Sequence, residues 1–382
     1  MKKLLVFFVA YLFTFSAYAQ NDTCGLRLTL LTCGPGEDLY SVFGHSALRV
    51  TDRARNVDII YNYGTFDFAD PDFYVKFVRG KLLYYVSEEQ FRDFYASYKA
   101  ENRYIIEQEL DLACDEKTRL AEALRTNALE QNKYYLYEFL FDNCSTRLRD
   151  IVVSNKNDSV RFRRIISTPA PTFRNMLHEY LDRGEQHWSK FGIDLLLGSR
   201  IDRKVLNEEA MFLPDYLMQG FDSSVVQTKS LVLSKNTILP AADDGEAGFS
   251  VTPMVVAIML LLLGIAVTFI KNTALQKVGL TLDVALYFIL GVMGCLMLFM
   301  WYGTEHELCR NNYNLYWALP THLVAAFFVR SKAQIARKYF TITAILNAVF
   351  LLCWFFLPQG MNNAFFPLIL LSAIRSFYHA SK

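Results

Sequence analysis

The sequence predicts an α+β domain followed by an all-α membrane domain of five spans. Short runs before residue 115 alternate apolar and polar residues, as half-buried strands do. Apolar residues recur at helical spacing in several later segments, and from Val251 onward the charges shrink to a few clusters between long apolar runs. The 382 residues carry a net charge of +1, with 53% hydrophobic and 20% charged residues. That balance excludes a strongly basic nucleic-acid binder and a disordered acidic tail. Seven cysteines are too few for a disulfide scaffold. No CxxC or Cys/His ladder offers four ligands at zinc spacing, so no metal site is predicted.

In chain order, Lys2 and Lys3 precede the apolar run Leu4 to Phe15 and the small residues of Ser16-Ala17-Tyr18-Ala19. This is the pattern of a signal peptide over residues 1–19, with Gln20 the first mature residue. The apolar run is short for a hydrocarbon core that needs about 20 residues to cross. Residues 20–250 form the outer domain. Residues 25–32, 46–51 and 57–63 read as strands, with 52–56 a hairpin loop between the last two. Residues 103–112 alternate again, and 117–132 have helical spacing. Asp142 and Asn143 are good N-caps, and Leu148, Ile151 and Val152 follow at three- and four-residue steps, so a helix begins near Cys144. Residues 174–181 and 193–197 are helical, and 240–248, rich in small and acidic residues, is the linker into the membrane. The mixture implies an antiparallel sheet.

The five spans are 251–270, 280–301, 315–329, 339–357 and 363–377, the third and fifth being the shortest. With residues 20–250 outside, Lys271, Lys277, Arg330, Lys332, Arg337, Lys338, Arg375 and Lys382 fall on the cytoplasmic side, and only Arg310 faces out. The positive-inside rule requires that asymmetry. Asp283 lies one turn inside the second span, where it is expected to reach headgroups at the cytoplasmic mouth.

The chemistry-bearing residues are Cys144 and His45. A thiol at a helix N-terminus is favoured as thiolate by the positive end of the helix dipole, whereas an inert buried cysteine is the competing reading. His45 follows Phe43-Gly44 at a strand entrance, where the glycine admits another chain and the imidazole can take a thiol proton. His178 and His187 read as surface residues. Cys24 and Cys114 flank two candidate strands at comparable ends and are the expected pair if a disulfide forms. His306 and Arg310, in the outer loop 302–314, either bind a lipid phosphate or belong to a solvated loop.

The strand with GHSALRV, then IIYNYG, and later a helix opening with NCSTR resemble the circularly permuted papain-like thiol fold of the NlpC/P60 and lecithin-retinol acyltransferase superfamily. More closely, GHSALRV, YNYGTFDF, GKLLYYV, EQELDL and FDNCSTRLRD, followed by several spans and NYNLYWALPTHL, resemble the Bacteroides-type lipoprotein N-acyltransferase family, Lnb. The resemblance implies a permuted papain-like periplasmic domain in a multi-pass protein of the bacterial inner membrane, its C-terminus cytoplasmic. It makes Cys144 the nucleophile and His45 the general base. The third, imidazole-orienting position falls on Asn62, with Tyr61 as the alternative. Asn143, Ser145 and Arg147 flank the nucleophile and are taken as substrate-binding. The implied reaction moves an acyl chain from a phospholipid donor, through a thioester, to the α-amine of a diacylated lipoprotein. It needs no cofactor and involves no nucleic acid. Two other classes remain open: a membrane-anchored cell-wall peptidase or amidase of the same thiol fold, and a non-enzymatic membrane sensor or scaffold.

Overall fold

The computed structural model describes residues 24–241, 250–270 and 272–381. The signal-peptide region, most of the linker, Lys271 and Lys382 lie outside the described residues. The chain opens with three strands, β1 (Leu26–Cys33), β2 (His45–Asp52) and β3 (Val57–Thr65), then α1 (Phe73–Val78), β4 (Leu83–Gln90), α2 (Phe91–Ala100) and β5 (Ile105–Leu110). Next come α3 (Cys114–Ala128), β6 (Tyr134–Leu136), α4 (Cys144–Asn155), β7 (Val160–Arg161), α5 (Phe173–Arg183), α6 (His187–Leu196), α7 (Pro214–Ser223), β8 (Val225–Val226), β9 (Lys229–Ser230) and β10 (Val232–Leu239). Seven strands form one antiparallel sheet in the order β10-β5-β1-β2-β3-β4-β6, and β7, β8 and β9 make a small second sheet.

β1 alternates in sequence, yet its last six residues are all buried. Helices cover both faces of the sheet there. Leu28, Leu30, Leu48 and Val50 pack with Leu120 and Leu124 of α3 and Leu148 and Val152 of α4. Leu31, Ala47, Ile60 and Ile105 meet Phe94 of α2 on the other side. Fully burying side chains of this size is worth about 1.5–3 kcal/mol each. The apolar face of α5 forms a separate core with Phe43, Leu140 and Phe212.

The membrane part comprises α8 (Pro253–Phe269), α9 (Thr273–Tyr302), α10 (His322–Ala325), α11 (Gln334–Leu352) and α12 (Phe365–Ala380). α9 and α11 are long and apolar enough to cross a bilayer, while α8 and α12 are apolar but shorter. The expected third span, 315–329, is not a continuous helix. α10 has four residues, extended only by a 3₁₀ turn at Ala326–Phe328. Pro320 lacks the N–H that a longer helix would need. Its irregular backbone lies against Gly291 and Gly294 of α9, where any Cβ would collide with Leu323 and Ala318. Non-helical backbone at this depth is tolerable because it is buried in protein. His322 donates from Nε2 to the Trp317 carbonyl at 3.2 Å, and its Nδ1 accepts from the Tyr339 hydroxyl at 2.6 Å.

Asp283 does not reach out to headgroups. It is 1% exposed, held by Arg375 at 2.6 Å and His379 at 2.7 Å, and Arg375 also donates to Thr268. The cluster ties α8, α9 and α12 together at one end of the bundle. A charge buried among helices persists when paired in this way.

At the other end the membrane part docks onto the outer domain. Asp194 of α6, with no exposed surface, accepts from Arg174 at 2.7 Å, His178 at 2.8 Å and Asn362 at 3.0 Å. Asn312 and Asn314 donate to the α6 carbonyls of Leu195 and Asp194, and the Gly360 N–H donates to Asp202. His178 is therefore part of an interdomain cluster, not a free surface residue.

Candidate active site

α4 starts at Cys144 because Asn143 caps it. The Asn143 carboxamide oxygen accepts from Thr146 N–H at 2.9 Å, and Thr146 Oγ1 accepts from Asn143 N–H at 2.8 Å. Asn143 Nδ2 donates to the carbonyls of Phe139 and Phe212. Its side chain is thus engaged in fixing the helix start. The cap takes up the Thr146 N–H, while the N–H groups of Cys144 and Ser145 have no intrahelical acceptors.

β2 brings His45 to that helix end. Gly44 before it has φ +76°, and a Cβ there would lie 2.7 Å from the Cys33 carbonyl, so only glycine fits the entrance. Ser46 Oγ bonds Ser145 Oγ at 3.1 Å, both residues fully buried, which pins β2 to the first turn of α4. Asn62 of β3 meets the imidazole: His45 Nε2 lies 3.2 Å from Asn62 Oδ1, and Asn62 Nδ2 donates to Glu89 of β4 at 3.2 Å. The Glu89 contact orients the amide with its oxygen toward His45. The imidazole therefore donates from Nε2 and keeps Nδ1 for the thiol. Tyr61 points to the opposite face of β3, into the core under α3 and α4.

Burial alone would push the Cys144 thiol up. His45 beside it, hydrogen-bonded to the sulfur, with help from the Ser46 N–H and Ser145, brings it below its ordinary 9.0. Burial pulls the His45 imidazole down, but the facing Cys144 and the bond to Asn62 hold it above its ordinary 6.5. Both shifts favour a thiolate–imidazolium pair. Cys33, the cross-strand partner of His45, shows what burial does without such a base: its thiol is pushed up to about 12. Cys114 is a free, exposed thiol, so the pairing expected of Cys24 with Cys114 does not form.

Of the flanking residues, Ser145 is enclosed, and Arg147 is bound to Asp142 at 2.5 Å while lying 3.5 Å over the Tyr135 ring. His306 donates to the Phe77 carbonyl at 3.0 Å and Arg310 pairs with Glu307 at 2.5 Å, so the outer loop docks on α1 and on its own carboxylate. Sequence reasoning misses Glu89, which sits on an unrecognised strand, and Tyr135. The Tyr135 hydroxyl is buried, faces the Gly64 N–H and donates to no acceptor among the described residues. A Cβ built on Gly64 would lie 3.8 Å from Cys144 Cβ and 4.0 Å from that hydroxyl, so the two groups border one small space. No group of three or more His, Cys, Asp or Glu side chains among the described residues is arranged to hold a metal ion.

Fold and site together define a membrane protein whose outer α+β domain carries a histidine-paired thiol. The chain belongs to the Lnb family: residues 14–179 match the Lnb N-terminal periplasmic domain and residues 244–382 the Lnb transmembrane domain. No curated protein and no solved structure matches it.

Proposed function

We propose that the protein is a thiol-dependent lipoprotein N-acyltransferase of the bacterial inner membrane, with a permuted papain-like domain over residues 20–250 on the periplasmic side and residues 251–382 in the bilayer. The observation that carries this reading is the Cys144–His45–Asn62 arrangement at a capped helix start. Family membership supports lipoprotein N-acylation as the activity. The order of elements, with the histidine strand before the cysteine helix, supports the permuted papain-like fold.

The Cys144 sulfur attacks a phospholipid ester carbonyl; a C–S bond forms and the C–O bond breaks. His45 takes the thiol proton and returns it to the departing lysophospholipid oxygen. The amine of a diacylglyceryl-cysteine then attacks the thioester, its proton passing to His45 as the C–N bond forms and the thiol is released. Asn62 holds the ring in the tautomer that leaves Nδ1 free for the sulfur. The N–H groups of the first α4 turn, with the Tyr135 hydroxyl, supply donors for the oxyanion. A water-soluble peptidase substrate would not require the apolar helices that follow.

The test is incubation of purified protein with phospholipid alone, followed by mass spectrometry. An acyl group should appear on Cys144, leave with neutral hydroxylamine, and be absent from Cys144→Ala. A diacylglyceryl-cysteine peptide with a free amine should discharge it into triacylated peptide, whereas an N-acetylated peptide should not. Triacylated peptide made by Cys144→Ala would overturn the mechanism.

A further inference from the structure

Beside Cys144 begins a ladder of aromatic rings that the catalytic reading does not use. Tyr137, which with Cys144 borders Gly64, stacks on Tyr84 at 4.4 Å between centroids. Tyr84 meets Phe66 at 5.4 Å, Phe66 meets Phe73 at 5.8 Å, and Phe73 stacks on Phe77 at 6.1 Å. The ladder ends against the membrane part. The Phe77 carbonyl accepts from His306, the Arg79 carbonyl accepts from Glu305 N–H at 3.0 Å, and Lys81 pairs with Glu305 at 3.2 Å. It thus joins the nucleophile to the loop that follows α9.

The outer side of this ladder is uncovered. Tyr74 is 76% exposed, Val75 and Phe68 61% each. A contiguous exposed apolar patch on a folded domain marks a surface that meets something apolar. Here the patch is continuous with a membrane-embedded part, and aromatic rings with apolar bodies and polar tips settle at headgroup level. On the same short segment Lys76 pairs with Asp70 and Lys81 with Glu305, while exposed Arg79 has no ion pair among the described residues and is placed to meet a lipid phosphate. The occupant that fits an exposed aromatic and aliphatic surface, an arginine outside any ion pair and a membrane-anchored frame at once is a phospholipid leaflet.

We infer that α1 and the residues around it sit in the outer-leaflet interface and that the aromatic ladder leads one phospholipid acyl chain from the leaflet to Cys144. The surface rests on the acyltransferase reading only for what the lipid does on arrival. A chain lying along stacked rings brings its ester to the sulfur without exposing the apolar tail to water. It also gives the His306 loop a role: it fixes the height of α1 relative to the bilayer, and hence where the ladder opens.

The experiment uses full-length protein in vesicles of phosphatidylethanolamine and phosphatidylglycerol. A photoreactive phenylalanine analogue replaces Tyr74, Val75 or, as control, Leu233, which is about as exposed as Val75 but lies on β10 at the opposite edge of the sheet. Phospholipid adducts at 74 and 75 should exceed those at 233 by about tenfold, and should persist when Cys144→Ala is added, because binding does not need the thiol. The Tyr74→Asp, Val75→Asp variant should keep its thermal transition and lose about tenfold in acyl-enzyme formation from vesicles, as expected for removing two interfacial apolar anchors. Equal adducts at all three positions, or adducts to a second copy of the chain in place of lipid, would overturn the inference, as would an undiminished acylation rate in the double variant. Lipid adducts at 74 and 75 in a protein that never acylates Cys144 would leave this surface standing and remove the acyltransferase reading instead.

Discussion

Replacing Tyr135 by Phe separates a catalytic hydroxyl from a structural one. The ring is held on both sides, under the Arg147 guanidinium at 3.5 Å and beside Tyr63 and Tyr137 at 6.5 Å each. Phe preserves every one of those contacts. Only the hydroxyl is lost; the Gly64 N–H faces it, and it donates to no acceptor among the described residues. Burial holds the phenol well above its ordinary value, so it stays protonated and remains a donor. A buried donor left without an acceptor costs about 1–3 kcal/mol. Removing it should therefore stabilise the protein by about 1 kcal/mol, a rise of roughly 2–4 °C in the melting temperature of a domain this size. If the hydroxyl donates to the oxyanion, the same change should slow acyl-enzyme formation by about 10²–10³-fold, the usual loss for one such donor. The assay pairs thermal unfolding with single-turnover acylation of Cys144 by phospholipid, followed by intact mass. A variant that melts lower and acylates at the wild-type rate would refute the reasoning, because the hydroxyl would then be paired and structural.

The pH profile of acylation should be bell-shaped, measured as kcat/KM: Cys144 lies below its ordinary 9.0, so the acid limb falls below pH 9.0. His45 lies above its ordinary 6.5, so the basic limb, where it loses the proton owed to the leaving oxygen, falls above pH 6.5. For stability the signs are opposite: the lowered Cys144 contributes above pH 9.0 and loses that contribution as pH falls through its folded value, while the raised His45 contributes below pH 6.5 and loses it as pH rises through its own. Asn62→Ala should lower kcat more than it raises KM, because it frees the ring without touching substrate; an unchanged kcat would remove Asn62 from the site. Asp194→Ala should destabilise the protein by about 3 kcal/mol in thermal unfolding, the low end for breaking a buried ion pair, since Arg174 keeps Asp202; a loss under about 1 kcal/mol would mean the interdomain cluster is not holding the halves together. Reporter fusions after residues 275 and 334 should read cytoplasmic and those near 307 and 360 periplasmic, because the basic clusters occupy alternate loops.

What the sequence reveals of this fold depends on how one-sided each element's burial is. β2 carries buried Leu48 and Val50 alternating with the part-exposed Arg49 and Thr51, so its spacing marks it, whereas β3 is buried without a break from Ile60 to Tyr63 and is marked by its β-branched and aromatic residues. β4 ends in Ser87, Glu88, Glu89 and Gln90, and β10 is an edge strand with Lys235 and Asn236 outward, so neither has a readable pattern. The pair at the site is legible for a local reason: a cap residue before Cys144 and a glycine before His45 are both dictated by backbone geometry within a few residues. Asn62 follows from its place on the next strand. Glu89 does not, because it belongs to a strand that cannot be seen, and Tyr135 is one aromatic among many until its missing acceptor is known. In the membrane part, hydropathy finds α8, α9, α11 and α12, but it scores residues 315–329 as a span because it averages over Pro320 and cannot register that α9 presents glycines to an irregular backbone. Asp283 misleads for a related reason: its partners Arg375 and His379 lie more than ninety residues away.

The two polar clusters at opposite ends of the helices explain why a soluble-looking site can act at a bilayer. Asp283 with Arg375 and His379 fixes α9 against α12 at one end, so the bundle cannot splay where its helices are shortest. At the other end, Asp194 gathers Arg174, His178 and Asn362, and the asparagines 312 and 314 lock onto α6. α6 follows α5, whose core includes Phe43 and Phe212; Phe43 lies two residues before His45, and the Phe212 carbonyl holds the Asn143 cap. A displacement of the membrane part is therefore transmitted through packed side chains to both members of the thiol–imidazole pair. On that reasoning Asn362→Ala, far in sequence from Cys144, should slow acylation from vesicles while leaving alkylation of Cys144 by a small soluble thiol reagent unchanged. If both rates fell together the site itself would have been deformed, and if neither fell the docking would not govern how the thiol meets the leaflet.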